Sequence, residues 1–335
     1  MNDQMKFRAR PAGRRWIAGA SRCMLPLLIA GVALPAAAKN SNAYVANQVD
    51  NTVSVINTAN NSVSAIVPVG TNPAAVAVSP QGQRVYVANL SSNNVSVIDT
   101  SSNAVIATVA VENSPTAIAI TPNGADAYVA NTNAGDVSVI DTATNAVTAT
   151  IAVGNTPSGI VVSPDGAHVY VTNEQDGTVS VISTASNTVA ATVAVGSNPF
   201  GVTVGPFGQR VYVANFGSNN VSVINTSSNT VTATYAAGNG AKAVVVGQLG
   251  ARLYVANYND NSVSVINALN GKTIATVPVG IAPQAEAVSL DGAHVYVANI
   301  DSANVSVLNT SNDTVSTTVA VGNSPASVAT QPGCL

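Results

Sequence analysis

The chain has 335 residues, of which 47% are hydrophobic and 8% charged, with a formal net charge of −3 at pH 7. That apolar content supports a sizeable core, and because aromatics are only 4% the core mass is Val, Ile and Ala, residues that favour strands when branched at Cβ. Beyond residue 38 there are six Lys and Arg against 14 Asp and Glu, a balance of −8, which argues against nucleic acid or an anionic membrane surface as partner.

In chain order, the first segment is different in kind. Lys6, Arg8, Arg10, Arg14, Arg15 and Arg22 precede the apolar run "CMLPLLIAGVALPAAA", which ends in small residues. A basic start, a short apolar middle and an A-x-A end predict an export signal peptide over residues 1–38. The expected location is the periplasm, the cell surface or outside the cell; an uncleaved N-terminal anchor is the alternative. "RRW" at Arg14 leaves the twin-arginine route open. The apolar run is short and broken by Pro, so no membrane span is expected. Past the leader one cysteine remains, Cys334. It predicts no internal disulfide, and leaves a free thiol or an intermolecular pair.

From residue 39 to 335 the chain is one predicted domain. Tyr44, Tyr86, Tyr128, Tyr170, Tyr212, Tyr254 and Tyr296 are each 42 residues from the next, without insertion or deletion. Each opens the word YVAN, or YVTN at Tyr170. One unit holds four apolar runs of strand length: "TAIAI" from Thr116, "AYVAN" from Ala127, "VSVID" from Val137 and "VTATIAV" from Val147. "TPNG" and "DTATN" between them are turn words. Each unit is therefore a four-stranded antiparallel meander. A β-solenoid would not need three hairpin turns per unit, whereas a propeller blade of 40–45 residues does. Ala75, Ala117, Gly159, Gly201, Ala243 and Ala285 share one aligned position in the first run. Such small residues suit the innermost strand, where blades converge.

The two ends are complementary. The repeat starts directly before a second strand and finishes on "SPASVATQP", a first strand with nothing after it. The expected fold is an all-β seven-bladed β-propeller with four antiparallel strands per blade. The C-terminal strand joins the N-terminal blade, which removes an open sheet edge.

Y-V-[AT]-N, then "NVSVIDT" from Asn94, "ATVAVGSNP" from Ala191 and "SPDG" from Ser163 resemble the YVTN-type β-propeller repeat family. The resemblance covers the whole chain past the leader. It implies a seven-bladed propeller in an exported bacterial or surface-layer-like protein. Propellers host unrelated functions, among them lactonases and single-stranded DNA binders, and none transfers without matching residues.

Chemistry-bearing residues are sparse. His168 and His294 both lie in "DGAHVY", three repeats apart and so on distant blades, where they cannot converge. No Cys/His metal spacing, no Ser-His-Asp set and no glycine loop before a helix is present. "NYNDN" at Asn257 lacks the downstream Glu of a calcium loop. No cofactor, metal or catalytic residue is expected.

Positions that break the repeat are more informative. After the aligned Pro stand Ala74, Thr116, Ser158, Phe200, Lys242, Gln284 and Ala326. Two residues further on, six copies have Val or Ile and one has Glu286. After YVAN stand Gln48, Leu90, Thr132, Glu174, Phe216, Tyr258 and Ile300. Phe200, Phe216, Lys242, Tyr258, Gln284, Glu286 and Ile300 thus fall in three consecutive blades on one rim, as exposed aromatics with an isolated Lys/Glu pair. They form either a ligand site or packing drift in which Lys242 offsets Glu286. Phe207 and Leu249 deviate on the opposite rim, as a second contact patch or, as the preferred reading, turn variation. The expected function is a rigid, monomeric binding scaffold for a protein, peptide or saccharide. A lactonase-like hydrolase using Lys242 and Glu286, or a single-stranded DNA binder stacking bases on the aromatics, are the rivals.

Overall fold

The structure, a computed structural model, describes residues 41–247 and 249–331. The predicted leader over residues 1–38 and Cys334 lie outside the described residues. Twenty-eight strands, β1 to β28 in chain order, pair among the described residues as seven four-stranded antiparallel sheets. Blade 1 combines residues 42–68 with 325–330. Blades 2 to 7 span residues 73–110, 115–152, 157–194, 199–236, 241–278 and 283–320. The seven-bladed propeller is therefore present, and its blade boundaries follow the 42-residue period.

Closure follows the pattern of the two ends. β28 (Pro325–Thr330) lies beside β1 (Asn42–Asn47), with Ala43 opposite Thr330 and Val45 opposite Val328. β2 (Thr52–Asn57) and β3 (Ser62–Pro68) complete the sheet. Gln331 donates its backbone N–H to Asn42 O at 2.8 Å and its Nε2 to Gly82 O of blade 2 at 2.8 Å.

The core lies between blades. Second and third strands are buried along nearly their whole length, as in β1 and β2, while the fourth is largely exposed. Between blades 6 and 7, Tyr254, Val263, Val265 and Val277 pack on Val295, Val297 and Leu308. Both faces of each blade meet a neighbour, which is why these strands lack polar alternation. First strands meet at the axis. A Cβ on Gly159 would strike the Phe200 carbonyl, and one on Gly201 would lie 2.7 Å from Ala243 Cα. The small aligned residue is thus a consequence of convergence.

Three words of the repeat form one device. The fully buried Asn257 that ends YVAN donates to Ser262 Oγ at 3.0 Å and Ser264 Oγ at 2.9 Å, and accepts the Gly238 N–H at 2.9 Å. A Cβ on Gly238 would sit 2.5 Å from Asn257 Cγ. The Asn of YVAN, the Ser of VSVI and the Gly of VG therefore specify one another. Tyr128 reaches the next blade, donating to Asn187 Oδ1 at 2.8 Å. Burial, with Asp126 adding, pushes its phenol up to about 12. His168 and His294 open equivalent strands three blades apart, each giving its backbone N–H to a Ser Oγ. Among the described residues no helix is long and apolar enough to cross a membrane.

Candidate binding rim

All seven first strands line one cavity of about 350 Å³ at the axis. Gln48 and Leu90 also line it, so its mouth opens on the rim carrying the loops after YVAN. The seven-fold pattern breaks here between two neighbouring pairs of blades. Blades 3 and 4 present hydroxyls. Thr116 and Thr132 lie 2.5 Å apart through Oγ1, and Thr132 donates to Pro157 O at 2.6 Å. Ser158 donates to Pro199 O at 3.0 Å, and Thr172 to Phe200 O at 2.7 Å. Blades 5 and 6 present rings and a cation instead.

Lys242 is held by those rings. Its Nζ stands 3.4 Å from the Phe200 centroid, 5.1 Å from that of Phe216 and 5.9 Å from that of Tyr258. Phe216 and Tyr258 meet edge to face at 6.1 Å. A cation over ring faces gains from the ring quadrupole, by roughly 0.5–2 kcal/mol per contact as water is excluded. The backbone here keeps the pattern of the other blades, and it is the side chains that have changed. Gly240 has φ +71°, and a Cβ there would come within 3.1 Å of the Phe216 ring. Ala241 replaces the aligned Pro as the first residue of β20 (Ala241–Val246). The register shift between Ala241 and Ala243, which recurs at the same place in every blade, takes Lys242 out of the ladder. The small Gly240 leaves room for the Phe216 ring beside Lys242.

Burial lowers the Lys242 ammonium below the usual lysine value, and the Glu174 carboxylate partly offsets it. Glu174 is the charge near this cluster that the sequence reading left out. It occupies the same aligned position as Phe216 and Tyr258, and its charge is the signal that could have found it.

The other predicted residues divide. Gln284 is half-buried and lines the channel. Ile300 opens a short 3-10 turn, Ile300–Ser302, and does not line it. Phe200, Phe216 and Tyr258 are half-buried rather than exposed. Glu286 is 7% exposed, and neither carboxylate oxygen has a hydrogen-bond partner among the described residues. The Ala256 backbone N–H is directed toward it, but desolvation dominates and pushes the carboxyl well above its usual value. Among the described residues the one ion pair is Arg252–Asp313 at 2.8 Å. Lys242 and Glu286 thus do not neutralise each other, and Glu286 is not poised as a solvent-facing acid or base. No three His, Cys, Asp or Glu side chains among the described residues form a group that could hold a metal.

Residues 12–333 match the YNCE-like beta-propeller family. The chain belongs to that family. No curated protein matches the sequence. Among solved structures, Kuenenia stuttgartiensis hydrazine synthase is 24% identical, with 79% of this chain and 92% of that chain covered and a TM-score of 0.72. A protein of unknown function from Desulfotomaculum acetoxidans is 19% identical over 87% of this chain and 99% of that chain, with a TM-score of 0.78. A candidate 6-phosphogluconolactonase from Bacteroides uniformis is 19% identical over 87% and 100%, with a TM-score of 0.74. At these identities the likeness shows the fold alone. What sets this YNCE-like propeller apart must be sought where its own blades differ.

Proposed function

We propose that the protein is an exported, monomeric binding scaffold that takes a protein, peptide or saccharide at the rim around Lys242. The observation that carries this reading is the seating of Lys242 in the rings of Phe200, Phe216 and Tyr258 at the channel mouth. Blades 3 and 4, whose hydroxyls are bonded to backbone carbonyls, adjoin the aromatic blades 5 and 6, so the mouth is asymmetric and suits an asymmetric ligand. The buried, desolvated state of Glu286 weighs against the hydrolase alternative, and the −8 balance against single-stranded DNA.

The test is a thermal-shift screen of peptides, saccharides, lactones and oligonucleotides, followed by titration calorimetry on the strongest ligand. Lys242→Met, and separately Phe216→Ala with Tyr258→Ala, are expected to weaken it about tenfold, or about 1.4 kcal/mol. Equal binding to the original and both variants would remove the site from this rim. Turnover of a lactone would replace the scaffold with a hydrolase.

Export rests on the leader pattern. Expressed from its full gene, the protein is expected in the extracytoplasmic fraction with a mature N-terminus near Lys39. Recovery from the cytoplasm beginning at Met1 would reject it.

A further inference from the structure

The opposite rim of blades 5 and 6 holds a second departure from seven-fold regularity. Phe207, Leu249 and Leu269 are 78%, 87% and 74% exposed. They stand around a cavity of about 270 Å³ that Pro206, Arg210 and Tyr212 also line. Phe207 and Leu249 occupy the turn position held elsewhere by Gln81, Asn123, Asp165 and Asp291. Leu269 replaces a residue that is Ala or Ser in the other six copies. Unrelated drift would scatter around the ring. Here three large apolar replacements in two adjacent blades converge on one hollow, and their exposure would be a liability without an occupant.

The charge around the hollow has changed as well. The first and third turns of these two blades contain no Asp or Glu. Arg210, Arg252 and Lys272 flank them, three of the five Lys and Arg beyond residue 40. The Arg210 guanidinium lies in the wall, fixed by an Nη1 hydrogen bond to Ala268 O at 3.1 Å. Arg252 is partly engaged by Asp313, while Lys272 is exposed. The border that blades 5 and 6 give this apolar hollow is therefore basic, with Asp291 and Asp313 of blade 7 lying on the far side by Arg252.

We propose that this face docks a peptide segment of a partner protein in which one large apolar side chain is flanked by carboxylates. The hollow falls below the ~300 Å³ at which pockets for whole drug-sized ligands begin, so it suits one or two side chains. A planar guanidinium held in its wall matches a carboxylate in bidentate geometry. A second copy meeting the same face would oppose like charges. An anionic bilayer would be repelled by the acidic remainder of the protein. The proposal stands independently of the Lys242 rim.

The probes are fluorescein-labelled nonapeptides with a central Leu, Phe or Trp flanked by Glu, by Ser or by Lys. Fluorescence polarisation against the full chain is expected to rank Glu over Ser by about tenfold, with Lys-flanked peptides not bound. Binding should weaken as salt rises from 50 to 300 mM. Phe207→Ser with Leu249→Ser should abolish it without changing the melting curve. Arg210→Gln should remove the Glu-over-Ser preference, while Lys242→Met on the other rim changes nothing. Equal binding of Glu- and Lys-flanked peptides, or indifference to the double variant, overturns the proposal. So does absence of binding by every peptide. Co-sedimentation with phosphatidylglycerol vesicles, or a dimer in sedimentation velocity, lost in the double variant, would assign the face to lipid or to a second copy instead.

Discussion

Removing residues 325–335 lowers the melting temperature by about 10 °C or more, read by circular dichroism or calorimetry. The deletion takes away β28, the first strand of blade 1. Ala326 and Val328 are buried at 4% and 6% exposure, and fully burying a valine contributes ~1.5–3 kcal/mol. The strand's ladder to β1 adds backbone hydrogen bonds at ~1 kcal/mol each. Its loss also exposes one edge of β1 and opens the interface with blade 7, where Thr330 donates to Val288 O at 2.6 Å. About 5 kcal/mol or more is at stake, and a chain of this size shifts by ~2–4 °C per kcal/mol. A synthetic peptide of residues 325–331 supplied in excess should recover part of the loss. A melting curve indifferent to the deletion would mean that blade 1 is not closed by this strand.

Glu286→Val has the opposite sign: it stabilises. Six blades carry Val or Ile at this position, so the interface accepts the shape, and the change removes a buried carboxyl without a partner. Leaving such a group unsatisfied costs ~1–3 kcal/mol, so a gain of about 4 °C is expected at neutral pH. The effect depends on pH. Burial raises the folded-state carboxyl well above its ordinary 4.5. Below that value the group is protonated in folded and unfolded chains alike, and it contributes no pH-dependent loss. As pH climbs through 4.5, the unfolded chain ionises while the folded chain keeps its proton. Stability then falls by ~1.4 kcal/mol per pH unit until the folded-state pKa is passed. Melts at pH 4 and pH 8 should show a larger advantage for Glu286→Val at pH 8, with Glu286→Gln sharing that pH response. An advantage equal at the two pH values would mean that Glu286 is ionised in the folded protein.

The ring was legible because repetition supplies its own control. Tyr44 through Tyr296 keep one spacing, and the small residue at Ala75 and its equivalents marked the strand nearest the axis. The Lys242 cluster was legible for the same reason: Phe200, Phe216 and Tyr258 deviate from an internal standard. Depth was not legible. Gln284 and Glu286 sit two residues apart, which in an even strand places both on one face. A register shift between Pro283 and Ala285 intervenes. Both residues line the channel, yet Gln284 is half-buried while the Glu286 carboxyl is sealed from water. Glu174 escaped notice because its aligned row, with Gln48, Leu90 and Thr132, is already varied. Leu269 lies far in sequence from Phe207, and only the packing of adjacent turns shows that they share a hollow.

The seam between β1 and β28 has a mechanical meaning. The strands are antiparallel, and Asn42 and Gln331 sit at the same end of their ladder. A load applied through those two residues pulls the strands apart crosswise. It meets one pair of hydrogen bonds at a time, in the manner of a zipper. A ring held together by seven interfaces therefore yields to tension at one rung, and the place it yields is where its two ends meet.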